Sequence, residues 1–251
     1  MTPEELARRA NLTPATLHRL LAEYQYAMTG EMAGAMGDSP GDPIAAQFIP
    51  DARELTIAAS ELTDPIGDAP HSPLPSLVHR YPNRVLWKIS PVCAVYCRFC
   101  FRKEHIGRRG QALRQRETAA VGAYLAAHHE IEEIILSGGD PLTLSDKKLR
   151  QCLEALHDLP HIRRLRIHSR IPVVHPARIT TALLDTLTAL PQSLHLVVHS
   201  NHSAELTANA RAAAAARTRR DALLANRAAQ RRKRRRGNPR QSYERPARLR
   251  R

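Results

Sequence analysis

Cysteine is scarce in this sequence, with four in 251 residues, and three of the four lie within the eight residues CAVYCRFC at 93–100. A disulfide framework needs cysteines that are numerous and spread along a small secreted chain, so this distribution does not favour one. No apolar run approaches the ~20 residues of a membrane-spanning helix, and the first residues, MTPEELARRA, lack the apolar centre of a secretion signal. We therefore expect a cytoplasmic protein with no membrane partner.

Acidic residues are almost absent from the end of the sequence. Residues 208–251 hold 16 of the 38 Lys and Arg but 2 of the 24 Asp and Glu, which leaves 22 of each sign in residues 1–207. The formal net charge of +14 therefore belongs to the tail. The stretch RRKRRRGNPR favours phosphate binding without base recognition, and Tyr243 alone offers little surface for stacking on bases. Nucleic acid, if it binds at all, is expected to bind through this tail.

Three regions follow from the composition along the chain. Residues 1–76 are predicted to form short helices, one of them starting at Thr13-Pro14, followed by a Gly-, Pro-, Asp- and Ser-rich wrapping segment without regular structure over 29–76. Residues 77–215 alternate strand-like and helical patterns. Residues 216–251 are an Arg-rich low-complexity tail, predicted to be disordered.

The middle region predicts an α/β fold. Four strand-like runs, RVLWKIS, EEIILSGG, RLRIHSR and SLHLVVHS, are separated by helical stretches: one over about 111–129, one capped by Ser145, and one opened by Pro176. Strands that alternate with helices indicate βαβ units and a parallel sheet. Polar residues cluster directly after each run, at Cys93–Cys100, Ser137–Asp140, His168–Arg170 and His199–His202. In a (β/α) barrel such positions share one mouth, the catalytic face, so we expect one site there.

The cysteine cluster has the spacing C-x₃-C-x₂-C, formed by Cys93, Cys97 and Cys100. A structural zinc site needs four ligands, usually as two separated pairs, and Cys152, on a leucine-rich helical pattern, reads as a buried core thiol. Three thiolates on one loop suit a [4Fe–4S] cluster. The fourth iron would then be open to a small molecule that carries an amino and a carboxylate group.

Several motifs together resemble a known family. CAVYCRFC after a first barrel strand resembles the radical S-adenosylmethionine (SAM) superfamily. The resemblance is closer to the lysine 2,3-aminomutase family and covers roughly residues 40–215 through HRYPNRVLWKISPVCAVYCRFCFRKEHIG, EIILSGGDPLTLSDKKL, RIHSRIPVVHPARIT and HSNHSAEL, with DPIAAQFIP and DPIGDAPHSP upstream. It implies a partial TIM-like barrel of the radical SAM type and an isomerase, with conversion of L-lysine to L-β-lysine as the first interpretation.

The resemblance also implies cofactors and partners. The cofactors would be a [4Fe–4S] cluster, SAM and pyridoxal 5′-phosphate. The substrate would be an amino acid, lysine in the first instance, and a reductant such as flavodoxin or ferredoxin would supply the electron. The resemblance is compatible with a homo-oligomer.

The resemblance further implies a role for individual residues. The cluster would be held by Cys93, Cys97 and Cys100. The glycine-rich strand end that meets the methionine amino group of SAM would be Ser137, Gly138, Gly139 and Asp140. Arg80 and Arg84 would contact the pyridoxal phosphate, and Arg102 would grip the substrate carboxylate, for which a bidentate guanidinium is suited. Residues expected to line the same mouth are His168, Ser169, Arg170, His199, Asn201 and His202.

The sequence also departs from that family. The family's barrel has six strands, whereas four are recognisable here before the Arg-rich tail. The lysine that forms a Schiff base with pyridoxal phosphate and the acidic residues that hold the substrate's side-chain ammonium have no counterpart. We therefore expect a truncated or frameshifted aminomutase that binds cluster and SAM without full turnover. Two alternatives stay open: a relative that makes β-lysine for elongation factor P, and an inactive iron–sulfur protein with a nucleic-acid-binding tail.

Overall fold

Five strands form a single sheet in the computed structural model of the chain, which describes residues 1–39, 41–103, 105–107 and 115–215. The strands are β1 Leu77–Tyr81, β2 Arg84–Ser90, β3 Glu133–Gly138, β4 Arg164–Ser169 and β5 Ser193–Val198. They lie side by side in chain order, with β1 antiparallel to β2 and the others parallel. The α/β fold class and the four predicted strands are confirmed. Within the described residues the sheet is open, and the predicted tail lies outside them.

The sequence prediction missed the first strand. β1 and β2 form a hairpin in which Leu77 pairs with Trp87 and Tyr81 with Arg84, joined by Pro82 and Asn83. Proline presets its backbone for a turn, which ends one strand and starts the next within two residues. The hairpin therefore extends the parallel sheet by one antiparallel edge strand.

Helices cover one face of the sheet and build the N-terminal region. They are α1 Pro3–Ala10, α2 Pro14–Glu23, α3 Gly30–Ala35, α4 Ala45–Phe48, α5 Gln115–Ala127, α6 Asp146–Glu154, α7 Ile171–Val174 and α8 Thr181–Thr188. Residues 208–213 are also helical and belong to the compact unit Met1–Ala213. Among the described residues no helix has the length and apolar character to cross a bilayer.

Side chains alternate between the two faces of each strand, as the two-residue period of a strand requires. On β2, Val85, Trp87 and Ile89 are buried in the main core beneath the helices, with side chains of β3, β4, α5, α6 and α8. Arg84 and Lys88 point to the opposite face, which we call the inner face, and are only partly buried. Burial on one face thus leaves the other free for polar groups.

The N-terminal segment is more regular than predicted, because short helices α3 and α4 interrupt the stretch 29–76. Met32, Ile44 and Phe48 are fully buried in a second core that also contains Val95 of the cysteine loop. This packing places the segment directly against that loop.

Two of the predicted helix starts are confirmed and one is wrong. Thr13 caps α2 and Ser145 caps α6, each through a side-chain oxygen that accepts a backbone N–H. Pro176 opens only a short 3₁₀ turn, and α8 begins at Thr181 with Thr180 as its cap. Proline fits the first turn of either helix type, so its presence did not show which one would form.

Replacing Thr180 with alanine should lower the free energy of unfolding by about 1 kcal/mol, because its Oγ1 accepts the Leu183 N–H at 3.2 Å. The neighbouring Thr181→Ala, on the exposed first turn, serves as the control and should change stability by less than about 0.5 kcal/mol. Urea unfolding of both variants measures this difference. Equal losses for the two would contradict the capping role.

Candidate functional site

The three clustered cysteines lie on the loop that follows β2, at the carboxyl end of the sheet. Cys93, Cys97 and Cys100 are free and partly buried, and all three border one small cavity of about 40 Å³. Cys152 lies in the main core on α6, as predicted, and does not line this cavity. The structure therefore brings together the three predicted cluster ligands.

The cysteine loop is held in place by the N-terminal segment. The Tyr96 N–H donates to the Ala27 carbonyl at 3.0 Å, and the Arg98 N–H donates to the Gln47 carbonyl at 2.9 Å. The Arg98 guanidinium also binds Glu54 through both carboxylate oxygens, at 3.0 and 2.6 Å, with both side chains largely buried. A bidentate pair fixes direction as well as distance, so the loop is anchored between its second and third cysteines.

Two of the thiols, Cys93 and Cys97, sit in surroundings that favour the neutral form. Burial raises the pKa of the Cys93 thiol, and the nearby charge of Asp140 adds to the shift. Burial also raises the pKa of Cys97, where the Arg170 guanidinium opposes the shift by donating to Sγ at 2.7 Å. Because metal ligands must be thiolates, cluster assembly at this loop would release protons.

Three free thiols on one loop are a donor set that suits a [4Fe–4S] cluster. Across the described residues, no three His, Cys, Asp or Glu side chains are arranged to hold one metal ion. In a [4Fe–4S] cluster each thiolate binds a different iron, so the sulfurs border a shared space without converging on one point. Three thiols around one cavity match that requirement and leave one iron without a protein ligand.

Asp140 joins the ends of β3 and β4. Its buried carboxylate accepts from Ser169 Oγ at 2.7 Å and from the backbone N–H groups of Arg170, Leu142 and Ile171 at 2.6, 3.0 and 3.2 Å. Burial raises the pKa of Asp140, although these bonds favour the charged form. Four donors fill the acceptor sites of a carboxylate. The side chain predicted to meet the SAM ammonium is thus already occupied in holding the strand ends.

The two glycines before Asp140 allow the loop after β3 to touch the cysteine loop. Gly138 has φ +107°, and a Cβ on Gly139 would lie 2.5 Å from the Val92 carbonyl oxygen, immediately before Cys93. The Asp140 N–H donates to that same oxygen at 2.9 Å. Only glycine permits such an approach. The motif therefore positions the cysteine loop, and Ser137 lies beside it on the inner face of β3.

Arg170 is the centre of a buried polar network. Its side chain is 6% exposed and donates to Cys97 Sγ, to Gln47 Oε1 and, at 2.8 Å, to Glu205, whose side chain is 0% exposed. Gln47 Nε2 donates to the other Glu205 oxygen at 2.9 Å. Burial opposes ionisation of Glu205, but the bonds from Arg170 and Gln47 hold its pKa below the usual value. The network ties α4, the cysteine loop and the segment after β5 together.

The residues after β5 are divided between that network and the surface. Asn201 Nδ2 donates to Gln47 Oε1 at 2.9 Å, so Asn201 joins the network. His199 is exposed, contacts Asn201 through Nε2 at 2.9 Å, and donates its backbone N–H to the Ser169 carbonyl. His202 Nδ1 accepts the Ala204 N–H and caps a short turn. All three lie at the carboxyl edge of the sheet.

A larger cavity of about 710 Å³ lies between the N-terminal segment and the carboxyl ends of β2 and β3. Arg102 and Lys88 line it, as do Asp68, Ser90 and Gly138. Arg102 Nη2 binds Asp68 at 2.8 Å, and both side chains are mostly buried. The volume of this cavity falls within the range of small-molecule sites, roughly 300–1,000 Å³.

Two of the predicted cofactor contacts do not line this cavity. Arg84 opens β2, so it lies at the end of the strand opposite the cysteine loop, and its guanidinium stacks over Tyr81 at 4.9 Å. Arg80 donates to the Ile66 and Gly67 carbonyls at 2.5 and 2.8 Å and reaches Asp68 at 3.4 Å. The structure thus keeps Arg80 behind the cavity wall and Arg84 away from the site.

Sequence reasoning did not identify Gln47, Asp68, Lys88 and Glu205 as parts of the site. Gln47 lies within DPIAAQFIP and Asp68 within DPIGDAPHSP, and both stretches were predicted only to be parts of the wrapping segment. Lys88 lies in the strand-like run RVLWKIS, and its alternation with buried Trp87 and Ile89 places it on the inner face. Glu205 carried no signal beyond its place in HSNHSAEL.

Comparisons with known proteins agree with this geometry. The model of the Radical SAM superfamily matches residues 87–221, more than half of the chain. The L-lysine 2,3-aminomutase of Escherichia coli is 42% identical over 168 residues, which cover 67% of this chain and 48% of that protein. The enzyme of Acetoanaerobium sticklandii is 36% identical over 210 residues, with coverage of 82% and 50%. That of Clostridium subterminale is 38% identical over 170 residues, with coverage of 68% and 41%. The chain spans about half the length of the curated relatives it matches.

Proposed function

The chain belongs to the radical SAM superfamily, and on that premise we propose that it is an amino-acid 2,3-aminomutase that uses a [4Fe–4S] cluster, SAM and pyridoxal phosphate. Its proposed reaction is the conversion of L-lysine to L-β-lysine. One observation carries the proposal: three free thiols border a single cavity at the carboxyl end of a parallel sheet. The similarity to L-lysine 2,3-aminomutases over 168 residues supports the choice of reaction.

In this proposal Cys93, Cys97 and Cys100 hold the cluster. When bound, the cluster supplies the electron that cleaves SAM to a carbon radical able to remove a hydrogen atom from the substrate. The protein's contribution is to place and tune these groups. Arg170 donates a hydrogen bond to Cys97 Sγ, and such bonds to cluster sulfurs are one of the ways in which proteins set cluster potentials.

The chain's other residues position the two cavities relative to each other. Gly139 and Asp140 fix the cysteine loop against β3, and Asp140 also fixes the start of α7. Arg102 follows Cys100 by two residues and lines the larger cavity, so a carboxylate bound to Arg102 would lie close to the cluster loop. This arrangement suits an α-amino acid whose carbon chain must face the radical.

The larger cavity has enough volume for pyridoxal phosphate, but the two arginines predicted to contact this cofactor are not among the residues that line it. Arg80 and Arg84 do not line the cavity, and the described lysines include none in the family's Schiff-base region. The proposal also includes a cytoplasmic location and a flavodoxin- or ferredoxin-type reductant, since the cluster needs an external electron. The homo-oligomer and the incomplete turnover stay predictions.

Anaerobic reconstitution tests the central claim. The full chain, supplied with iron and sulfide, should take up roughly four irons and, after reduction, give an electron paramagnetic resonance signal that changes when SAM is added. Alanine at Cys93, Cys97 or Cys100 should reduce iron content to background.

The matched control is Cys152→Ala, which should keep the cluster because Cys152 lies in the helical core. A folded chain that remains colourless and free of iron under these conditions would refute the proposed function. So would a signal indifferent to SAM, or equal losses for all four cysteine variants.

A further inference from the structure

Lys88, Ser137 and His168 form a row across the inner face at the carboxyl ends of β2, β3 and β4. Lys88 is paired with Ser137 in the β2–β3 register. Leu136 is paired with Ile167, so the next residues of those strands, Ser137 and His168, lie next to each other. All three side chains leave the sheet on the face opposite the helical core, because their neighbours along each strand are the buried residues of that core. Parallel strands thus align three polar groups.

Lys88 is the cation of this row, and its charge is not neutralised by direct contact with any residue that the structure describes. Within the described residues its ammonium makes no hydrogen bond or ion pair, although it lines the 710 Å³ cavity and is half-buried. The acidic groups that influence it are engaged elsewhere: Asp68 binds Arg102 and Arg80, and Asp64 accepts the N–H groups of Asp68 and Ala69. Burial lowers the pKa of Lys88, because it disfavours the charged ammonium.

We propose that Lys88 is an oxyanion subsite of the larger cavity, where its ammonium binds the phosphate or carboxylate group of a small-molecule ligand. The inference rests on the proposed function only in assuming that the cavity holds a small molecule. A half-buried ammonium gains a strong, charge-assisted bond when an anion reaches it.

Competing cations of the same cavity are less suited to this task. Arg102 already holds the Asp68 carboxylate at 2.8 Å, so an anion must displace that carboxylate first. Arg116 also lines the cavity, but it is exposed, so water screens its charge, and Arg80 and Arg84 do not line the cavity. Within the described residues Lys88 has no hydrogen-bond or ion-pair partner and lines the cavity, so an incoming oxyanion meets less competition there than at Arg102.

The test is calorimetric titration of the full chain with two ligands and their anion-free counterparts. Pyridoxal 5′-phosphate is compared with pyridoxal, and L-lysine with L-lysinamide. Lys88→Met should weaken binding of at least one anionic ligand about tenfold while leaving its counterpart unchanged, and the ligand affected identifies phosphate or carboxylate as the source. Lys88→Arg should retain the affinity. Lys147→Met, on the exposed side of α6, should match the wild type.

Several results would overturn this assignment: no binding of either anionic ligand to the wild type, equal affinities in Lys88→Met, or an equal loss for the anion-free counterparts. Borohydride fixation of pyridoxal phosphate onto Lys88 would do so too, since the amine would then be a nucleophile. If Lys88→Met does not fold, the wild-type chain is titrated in the presence of added inorganic phosphate or acetate. These anions must then weaken the binding of pyridoxal 5′-phosphate or L-lysine without weakening the binding of pyridoxal or L-lysinamide. The measurement needs no iron, so a chain that fails to assemble a cluster can still pass it.

Discussion

Replacing Arg170 with methionine should lower the free energy of unfolding by about 3–5 kcal/mol, because it leaves the Glu205 carboxylate buried and without its cation. Glu205 is 0% exposed, and its Oε2 receives the guanidinium at 2.8 Å. The loss should exceed that of any surface ion pair, such as Arg53 with Asp51, whose partners are largely exposed. Urea unfolding followed by circular dichroism measures it.

The double variant Arg170→Met with Glu205→Gln separates charge from packing. Removing both charges eliminates the unpaired carboxylate, so the double variant should be more stable than Arg170→Met alone. A double variant less stable than the single one would mean that the network stabilises the fold through shape and hydrogen bonds rather than charge.

Gly139→Ala should cost about 3 kcal/mol and weaken iron uptake, because the added Cβ would lie 2.5 Å from the Val92 carbonyl oxygen and 2.8 Å from two further backbone atoms of Val92. Backbone cannot rotate away as a side chain can, so the cysteine loop must move. Because Cys93 follows Val92 directly, the movement reaches the first cluster ligand. Urea unfolding and iron content after reconstitution are the two readouts.

Gly122→Ala is the matched control for this prediction. Gly122 lies within α5, and a Cβ there would meet Ala155 at an ordinary 3.7 Å. Alanine is the better helix former, so Gly122→Ala should be neutral or stabilising by up to about 1 kcal/mol. If Gly139→Ala and Gly122→Ala changed the free energy of unfolding equally, the close approach at Gly139 would not be the cause of the loss.

The strands and the cysteine loop could be predicted from the sequence because their signals are local. A β-rich run such as RVLWKIS and a fixed cysteine spacing need no information from distant residues. The side chains just after each strand also reached one edge, as expected of parallel strands. Their contacts were not predictable in the same way: nothing in SGGD indicates that Asp140 is filled by donors from residues 29 to 31 positions later in the chain.

Arg84 shows why position along a strand matters as much as membership of a motif. It stands nine residues before Cys93 in the sequence, and the extended β2 carries it to the far end of the sheet. The Arg170 network shows a second limit. Arg170 and Gln47 are separated by 123 residues, and Gln47 and Glu205 by 158, so only the folded chain brings Gln47 to the buried ion pair of Arg170 and Glu205.

The ion pair between Asp68 and Arg102 makes ligand entry a process of ion exchange. Any carboxylate that reaches Arg102 takes a place that Asp68 now fills at 2.8 Å, so the net gain is the difference between two similar bonds. The displaced Asp68 carboxylate keeps a cation nearby, since Arg80 Nη2 lies 3.4 Å from its other oxygen. If Arg102 binds a substrate carboxylate as proposed, Asp68 competes with that ligand for the guanidinium, which lowers the affinity that this contact can provide.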